Sequence, residues 1–253
     1  MRHINMGVSC IICAYNEEPR IRSVLEAVVH HPLVSEIIVV DDGSCDGTGH
    51  VVEQFPSVTL ISRPHNSGKT VAMAAGVAAV SGDIVMLLDA DLRGIKPTHI
   101  TALVEPVLSG KADVTISLRG NSLWLYRMIG LDFVSGERVL HVSLLANSLR
   151  NAYELPRFGI EVYMNTLIIQ KQLTIAAVDW CDVTQARKIE KIGFWRGSFA
   201  EMRMIFDVLR VKYPAAALVQ TCQMLRLTTA SPVHEVFRVG QNWWKDLVAH
   251  LRN

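Results

Sequence analysis

The 253-residue chain is short of net charge: 25 Lys and Arg stand against 24 Asp and Glu. Nucleic-acid binders usually carry a basic excess, so its absence argues against that class. Long apolar runs are missing too. No stretch reaches the ~18 apolar residues that a spanning helix needs. Met1-Arg2-His3-Ile4-Asn5-Met6 lacks the apolar core of a signal peptide. These absences predict a cytoplasmic protein whose membrane contact is at most peripheral. The five cysteines are odd in number and suggest neither a disulfide framework nor a zinc site. Cys10 and Cys13 form a C-x-x-C, but inside the apolar run Val8–Cys13, which reads as a buried strand rather than a redox site at a helix start.

What is present is an ordinary globular composition, 50% apolar and 19% charged, which excludes disorder for most of the chain. The length suits one large domain, or one domain with a small appendage. The near-zero total hides an asymmetry. Residues 1–181 carry 14 basic and 18 acidic side chains, whereas residues 182–253 carry 11 and 6. A division follows, with an acidic body at 1–181 and a basic section at 182–253.

Over the first 120 residues strand and helix patterns alternate. Apolar β-branched runs fall at 7–13, 36–40, 57–62, 84–88 and 113–117, and a helix is predicted over 17–31 with Ile21, Val24, Leu25 and Val28 on one face. Apolar runs without alternation indicate strands buried on both sides, hence an α/β fold with a mostly parallel sheet between helices. In such sheets ligands bind beyond the carboxyl ends of the strands. The residues at those ends are Ala14-Tyr15-Asn16-Glu17-Glu18, Asp41-Asp42-Gly43-Ser44, Asn66-Ser67-Gly68-Lys69 and Asp89-Ala90-Asp91.

Each group has two readings. Residues i and i+2 of a strand exit point the same way, so Asp89 and Asp91 either converge on a hard cation such as Mg²⁺ or Mn²⁺, or cap the next loop and face water. Asp42, Ser44, Asp46, Gly47 and Glu53 match an EF-hand loop in spacing, but an apolar strand pattern precedes them where an EF-hand needs a helix. A strand-to-helix turn remains, with Asp41 and Asp42 toward a ligand and Asp46 capping the next helix. Lys69 either meets a phosphate or base carbonyl at a helix start, or is solvated. It does not end a Walker A loop, because Arg63 stands where the first glycine belongs. No G-x-G-x-x-G follows the first strand, which disfavours a dinucleotide-dependent oxidoreductase.

Taken in order, Ile12-Cys13-Ala14-Tyr15-Asn16-Glu17-Glu18, Val40-Asp41-Asp42-Gly43-Ser44, Asp46-Gly47-Thr48, Asn66, Gly68-Lys69 with Ala72 and Gly76, and Leu88-Asp89-Ala90-Asp91 resemble the opening of family 2 glycosyltransferases. The resemblance covers roughly residues 7–180. It implies a GT-A fold binding a UDP- or GDP-linked sugar, an inverting transfer, and a Mg²⁺ or Mn²⁺ ion. By match, Ala14, Tyr15, Glu17 and Asp42 would hold the nucleoside with Lys69 nearby, and Asp89, Ala90 and Asp91 would meet the ribose, diphosphate and metal. Ile116-Ser117-Leu118-Arg119, Val134 to Leu140 and Phe158 to Glu161 are similar to dolichyl- and polyprenyl-phosphate sugar transferases, which implies a lipid-phosphate acceptor. Arg119 and Arg138 are then candidates for phosphate contacts, since guanidinium binds phosphate bidentately. Glu161 opens a helix, where a site role and a capping role compete. The E-D pair and Q-x-x-R-W motif of processive synthases are absent. A phosphate acceptor is already anionic and needs no general base.

The basic section carries a stripe of Phe199, Met202, Phe206, Leu209 and Tyr213, with Arg196, Arg203, Arg210 and Lys212 off it, and a cluster of Trp243, Trp244, Leu247, Val248 and Leu251. Such helices suit the surface of an anionic membrane, or else pack on the catalytic unit or form a homodimer contact.

Overall fold

The computed structural model describes residues 7–146, 149, 159–186 and 214–229. The two basic amphipathic segments of the sequence reading lie outside them.

The chain opens with β1 (Val8–Ala14), α1 (Glu18–Val28), β2 (Val34–Asp41), α2 (Thr48–Glu53), β3 (Val58–Ser62), α3 (Lys69–Ala79) and β4 (Ile84–Asp89). A two-residue β5 (Leu92–Arg93), α4 (Pro97–Leu108), β6 (Val114–Arg119) and α5 (Trp124–Ile129) follow. Then come β7 (Arg138–His141), α6 (Ser143–Ala146), α7 (Gly159–Gln170), β8 (Ile175–Trp180), β9 (Thr184–Gln185) and α8 (Pro214–Arg226). Among the described residues, seven strands form one sheet in the order β3-β2-β1-β4-β7-β6-β8. All pairs are parallel except those of β7, which runs antiparallel to β4 and β6.

The apolar runs form central strands because both faces are covered. One core packs Ile21, Val24, Leu25 and Val28 of α1 and Ile100, Leu103 and Val104 of α4 against Cys10, Ile12, Val39 and Met86. The other packs Met73 and Val77 of α3 and Ile160, Met164 and Ile168 of α7 against Ile11, Val85, Leu87 and Ile116. Each such side chain contributes roughly 1.5–3 kcal/mol on leaving water. Pro19 is the second residue of α1, in the first turn, where the missing N–H costs nothing. Cys10 and Cys13 lie within β1, and burial pushes the Cys13 thiol up to about 12, which suits packing rather than redox exchange.

Packing crosses residue 181. Met224 and Leu225 of α8 belong to the second core. Ile175 bridges Thr228, and β9 pairs with β5 through Leu92–Gln185 and Arg93–Thr184.

Among the described residues no helix is long and apolar enough to cross a membrane.

Candidate active site

At the carboxyl ends of β1 to β3 the acids are held largely by backbone donors. Asp42 is buried and accepts the N–H groups of Ser67 (3.1 Å) and Gly68 (2.7 Å), while its own N–H donates to Ala14 O (2.9 Å). Arg63 Nη1 stands 3.4 Å from its carboxylate. Asp41 accepts the Ser44 N–H and hydroxyl at 3.0 and 2.5 Å. Asp46 lies one residue ahead of the α2 N-cap and accepts the N–H of Thr48 (3.0 Å) and of Glu18 (3.2 Å). Burial opposes the Asp46 charge, but these hydrogen bonds outweigh it and hold the carboxyl below its ordinary range. Glu17 is buried against Arg20 at 2.5 Å, and Tyr15 projects with 44% of its surface exposed.

At the ends of β4, β6 and β7 the acids meet side chains instead. Lys69, the first residue of α3, sets Nζ 2.6 Å from Asp89 Oδ1 and 3.1 Å from Glu161 Oε1 at the start of α7. Burial disfavours its charge, but Asp89 and Glu161 outweigh that and keep its pKa well above the ordinary lysine range. Gln185 Nε2 donates to Asp89 Oδ2 (2.9 Å) and to Asp91 Oδ1 (3.1 Å). Its Oε1 accepts Arg119 Nη1 at 2.6 Å. Arg119 also donates to Glu137 Oε1 (3.1 Å) and lies 3.7 Å from Asp132. Burial works against the Arg119 charge, and Glu137, Asp89 and Asp132 restore it. Glu137 is fully buried and takes the hydroxyls of Ser117 (2.8 Å) and Ser135 (2.6 Å). Burial raises the Glu137 pKa against the opposing pull of Arg119. Gly136 lies against the Lys69–Asp89 pair. A Cβ there would fall 2.6 Å from Lys69 Nζ and 3.0 Å from both Asp89 oxygens.

The fold thus brings Lys69, Asp89, Asp91, Arg119 and Glu161 into one cluster, with Ala14, Glu17 and Asp42 along the neighbouring strand ends. Ala90 is buried in the first core, so only its backbone is available to a ligand. Arg138 stands behind the cluster, within electrostatic reach of Glu161, Asp132 and Glu137 but hydrogen-bonded elsewhere. It is fully buried at the start of β7 and gives Nε to Ser135 O (2.9 Å), Nη1 to Asn165 Oδ1 (2.7 Å) and Nη2 to Phe133 O (2.9 Å). Burial pulls its pKa down to about 10. Its guanidinium is engaged in tying the 133–135 turn to α7, so the phosphate contact expected of it has no open donor fork.

Sequence reasoning missed Gln185 and Glu137. Gln185 lies past the expected boundary at 181. Glu137 precedes a strand, and an antiparallel strand brings its beginning, not its end, to the carboxyl edge of its neighbours.

Whether these residues fit a divalent cation is decided by the bridge from Gln185. An N–H donor set between two carboxylates occupies the point where a cation would meet both, and hard oxygens suit Mg²⁺ or Mn²⁺. Among the described residues no group of three or more His, Cys, Asp or Glu forms a metal cage. A cation there would rely on Asp89, Asp91 and ligand oxygens.

An acid pair, a lysine and an arginine thus meet at the carboxyl edge of the sheet, and comparison with known proteins says which family carries them. Residues 9–168 match Glycosyl transferase family 2, and the chain belongs to that family. A dolichyl-phosphate beta-glucosyltransferase of Trichomonas vaginalis is 39% identical over 97 residues, 33% of this chain and 30% of that one. The glucosyl-3-phosphoglycerate synthase of Mycobacterium tuberculosis is 35% identical over 113 residues, 41% of this chain and 35% of its own. The matched stretch thus spans about a third of the length of these curated relatives. The crystal structure of that synthase with Mn²⁺, UDP and phosphoglyceric acid superposes with a TM-score of 0.61 at 25% identity, covering 75% of this chain and 74% of that one. The fold is the GT-A fold that the sequence resemblance implied.

Proposed function

We propose that the chain transfers a sugar from a UDP- or GDP-linked donor to a lipid phosphate of the polyprenyl or dolichyl kind, with inversion and with Mg²⁺ or Mn²⁺. The observation that carries the reading is the joining of Asp89 and Asp91 to Arg119 through one amide at the carboxyl edge. Asp42 and the loop from Ala14 to Glu17, with Tyr15 beside it, would take the nucleoside. Asp89 and Asp91 would hold the cation. When bound, the cation supplies charge stabilisation to the departing diphosphate. Lys69 holds Asp89 in place, and Glu161 keeps Lys69 directed at it. Arg119 would orient a phosphate oxygen. The acceptor phosphate arrives as an anion, which removes the need for a base at the attacking oxygen.

Two observations support a lipid acceptor: the dolichyl-phosphate relatives, and the helix that follows β6. On that helix and its cap, Leu123, Trp124 and Met128 are 62%, 71% and 59% exposed, and Arg127 Nη1 donates to Arg119 O (3.0 Å). An exposed apolar turn beside the site suits peripheral contact with a membrane. A second reading, a small soluble phosphate acceptor, is favoured by the coverage of the phosphoglycerate-bound neighbour. The catalytic unit then takes in residues 7–186 together with α8, and the basic segments at 196–213 and 243–252 would be the membrane-facing or dimer-forming parts.

A thermal-shift screen of UDP- and GDP-sugars with and without Mn²⁺ tests the donor, and a Mn²⁺-dependent shift with one nucleotide is expected. Radiolabelled transfer to dolichyl phosphate in detergent, against 3-phosphoglycerate, tests the acceptor. Transfer to phosphoglycerate alone overturns the lipid reading.

A further inference from the structure

Gln185 stands between the two parts of the proposed chemistry. A carboxamide is a donor at one end and an acceptor at the other. Here the donor end faces both acids, and the acceptor end faces Arg119. The reverse orientation would set an oxygen against two carboxylates and an N–H pair against a guanidinium. Charge therefore fixes the amide in one sense while no cation is bound.

A cation at the convergence of Asp89 and Asp91 reverses that preference, because it repels N–H and attracts oxygen. The amide must then turn or withdraw, and either motion ends the 2.6 Å contact from Arg119 Nη1. Arg119 Nε, buried and without a hydrogen-bond partner, already has spare donor capacity. Freed from Gln185, the guanidinium presents a second open donor to a phosphate.

The backbone around Gln185 is built to leave only the side chain mobile. Leu92 pairs with it across β5 and β9. The Asn121 carboxamide takes its N–H (3.1 Å) and donates to its carbonyl (2.9 Å) in the manner of a second strand. The preceding turn is gripped between two glycines: a Cβ on Gly94 would lie 2.6 Å from Asp182 O, and one on Gly120 would lie 2.1 Å from Cys181 O. With the main chain held on both edges, rotation of the amide is the cheapest response to a cation.

We infer that Gln185 is a positioning residue that couples loading of a divalent cation on Asp89 and Asp91 to release of Arg119 toward phosphate, an inference that rests on the cation and phosphate reading above. The coupling is reciprocal: a phosphate that draws Arg119 away eases the turn of the amide and tightens the cation.

Side-chain ¹H–¹⁵N spectra of the full chain, titrated with Mg²⁺ alone, test this. The Gln185 NH₂ signals are assigned by their loss in Gln185→Met, and the Arg119 Nε–H signal by its loss in Arg119→Lys. Both signals are expected to move with one midpoint. In Gln185→Met the Arg119 signal is expected to move less than half as far, although the backbone amides of residues 89–92 still respond. A stationary Gln185 signal beside responding amides, or an Arg119 shift of native size in Gln185→Met, overturns the coupling alone. Amides of 89–92 that ignore millimolar Mg²⁺ overturn the cation reading and the coupling with it. If Gln185→Met loses its dispersed spectrum, Gln185→Asn, whose amide is one methylene too short to span both partners, is read the same way.

Discussion

The two halves of the carboxyl edge hold their acids by different means. Under β1 to β3, Asp41 and Asp42 are fastened mainly by N–H groups and a hydroxyl from neighbouring turns. Under β4 to β7, Asp89, Asp91 and Glu137 are fastened by Lys69, Gln185 and Arg119. Backbone donors arrive in place when the sheet forms and have no other use. Side-chain donors can change partner. The first half is therefore preset by main-chain geometry, and the second is a balanced set of charges whose partners can change.

The sharpest way to break this comparison is to remove one acid from each half. Asp91→Asn should lower transfer by about 10³-fold or more, mainly in kcat, with Tm within a few degrees of the native chain. Asp42→Asn should act mainly on donor KM, by roughly tenfold, the scale of one charge-assisted hydrogen bond. Steady-state kinetics with the donor found by thermal shift decides it, and a native rate in Asp91→Asn would remove Asp91 from the site.

Next in size is the contrast between the two arginines. Arg138→Met strands Ser135 O and Asn165 Oδ1 in the core, which should cost about 3 kcal/mol in chemical denaturation. Arg119→Lys should cost less stability and more transfer, because lysine cannot span Gln185 and Glu137 together.

Lys69→Met sharpens the electrostatics of the second half. The Lys69 pKa is raised on folding, so its contribution is complete below the ordinary value of 10.5 and is lost as pH rises through the folded value. The stability gap to Lys69→Met, about 1–3 kcal/mol, should be flat from pH 7 to 9.5 and close only above 10.5. A gap that closes near pH 8 contradicts the pairing.

The smallest effect is expected at Asp182. Hydrogen bonds from Lys96 and then His99 lower its pKa from 3.8 to about 2, so its contribution is present above 3.8 and fades as pH falls toward 2. Thermal melts of Asp182→Asn should lie slightly below native at pH 5 and converge with it in stronger acid. Transfer should not change.

The preset half was the more legible in sequence. Strands at Val8 and Glu36 announced themselves by unbroken apolar runs, and the acids after them stood where a parallel sheet puts its ligands. The exchangeable half was legible only in part. Asp89, Asp91 and Lys69 follow that rule, whereas Gly136 and Glu137 enter from the beginning of an antiparallel strand, and no local pattern marks that reversal. Arg119 and Arg138 looked alike as charges near a phosphate. Only tertiary packing separates a guanidinium hydrogen-bonded to an acid from one hydrogen-bonded to carbonyls and an amide. Gln185 carries no charge and belongs to a two-residue strand, too short for periodicity to detect.

The grip of Gly94 and Gly120 on the turn at 181–183 has a consequence for anyone who recombines this chain. A chimera joined at 181 would discard Thr184 and Gln185 and leave the two acids facing each other without their amide. One joined after Ala186, whose N–H reaches Asp91 O at 3.3 Å, keeps the amide but gives up Met224 and Leu225 of the second core and the Gln220 bond to Val162 O of α7. The cleft travels whole only when residues 214–229 travel with it.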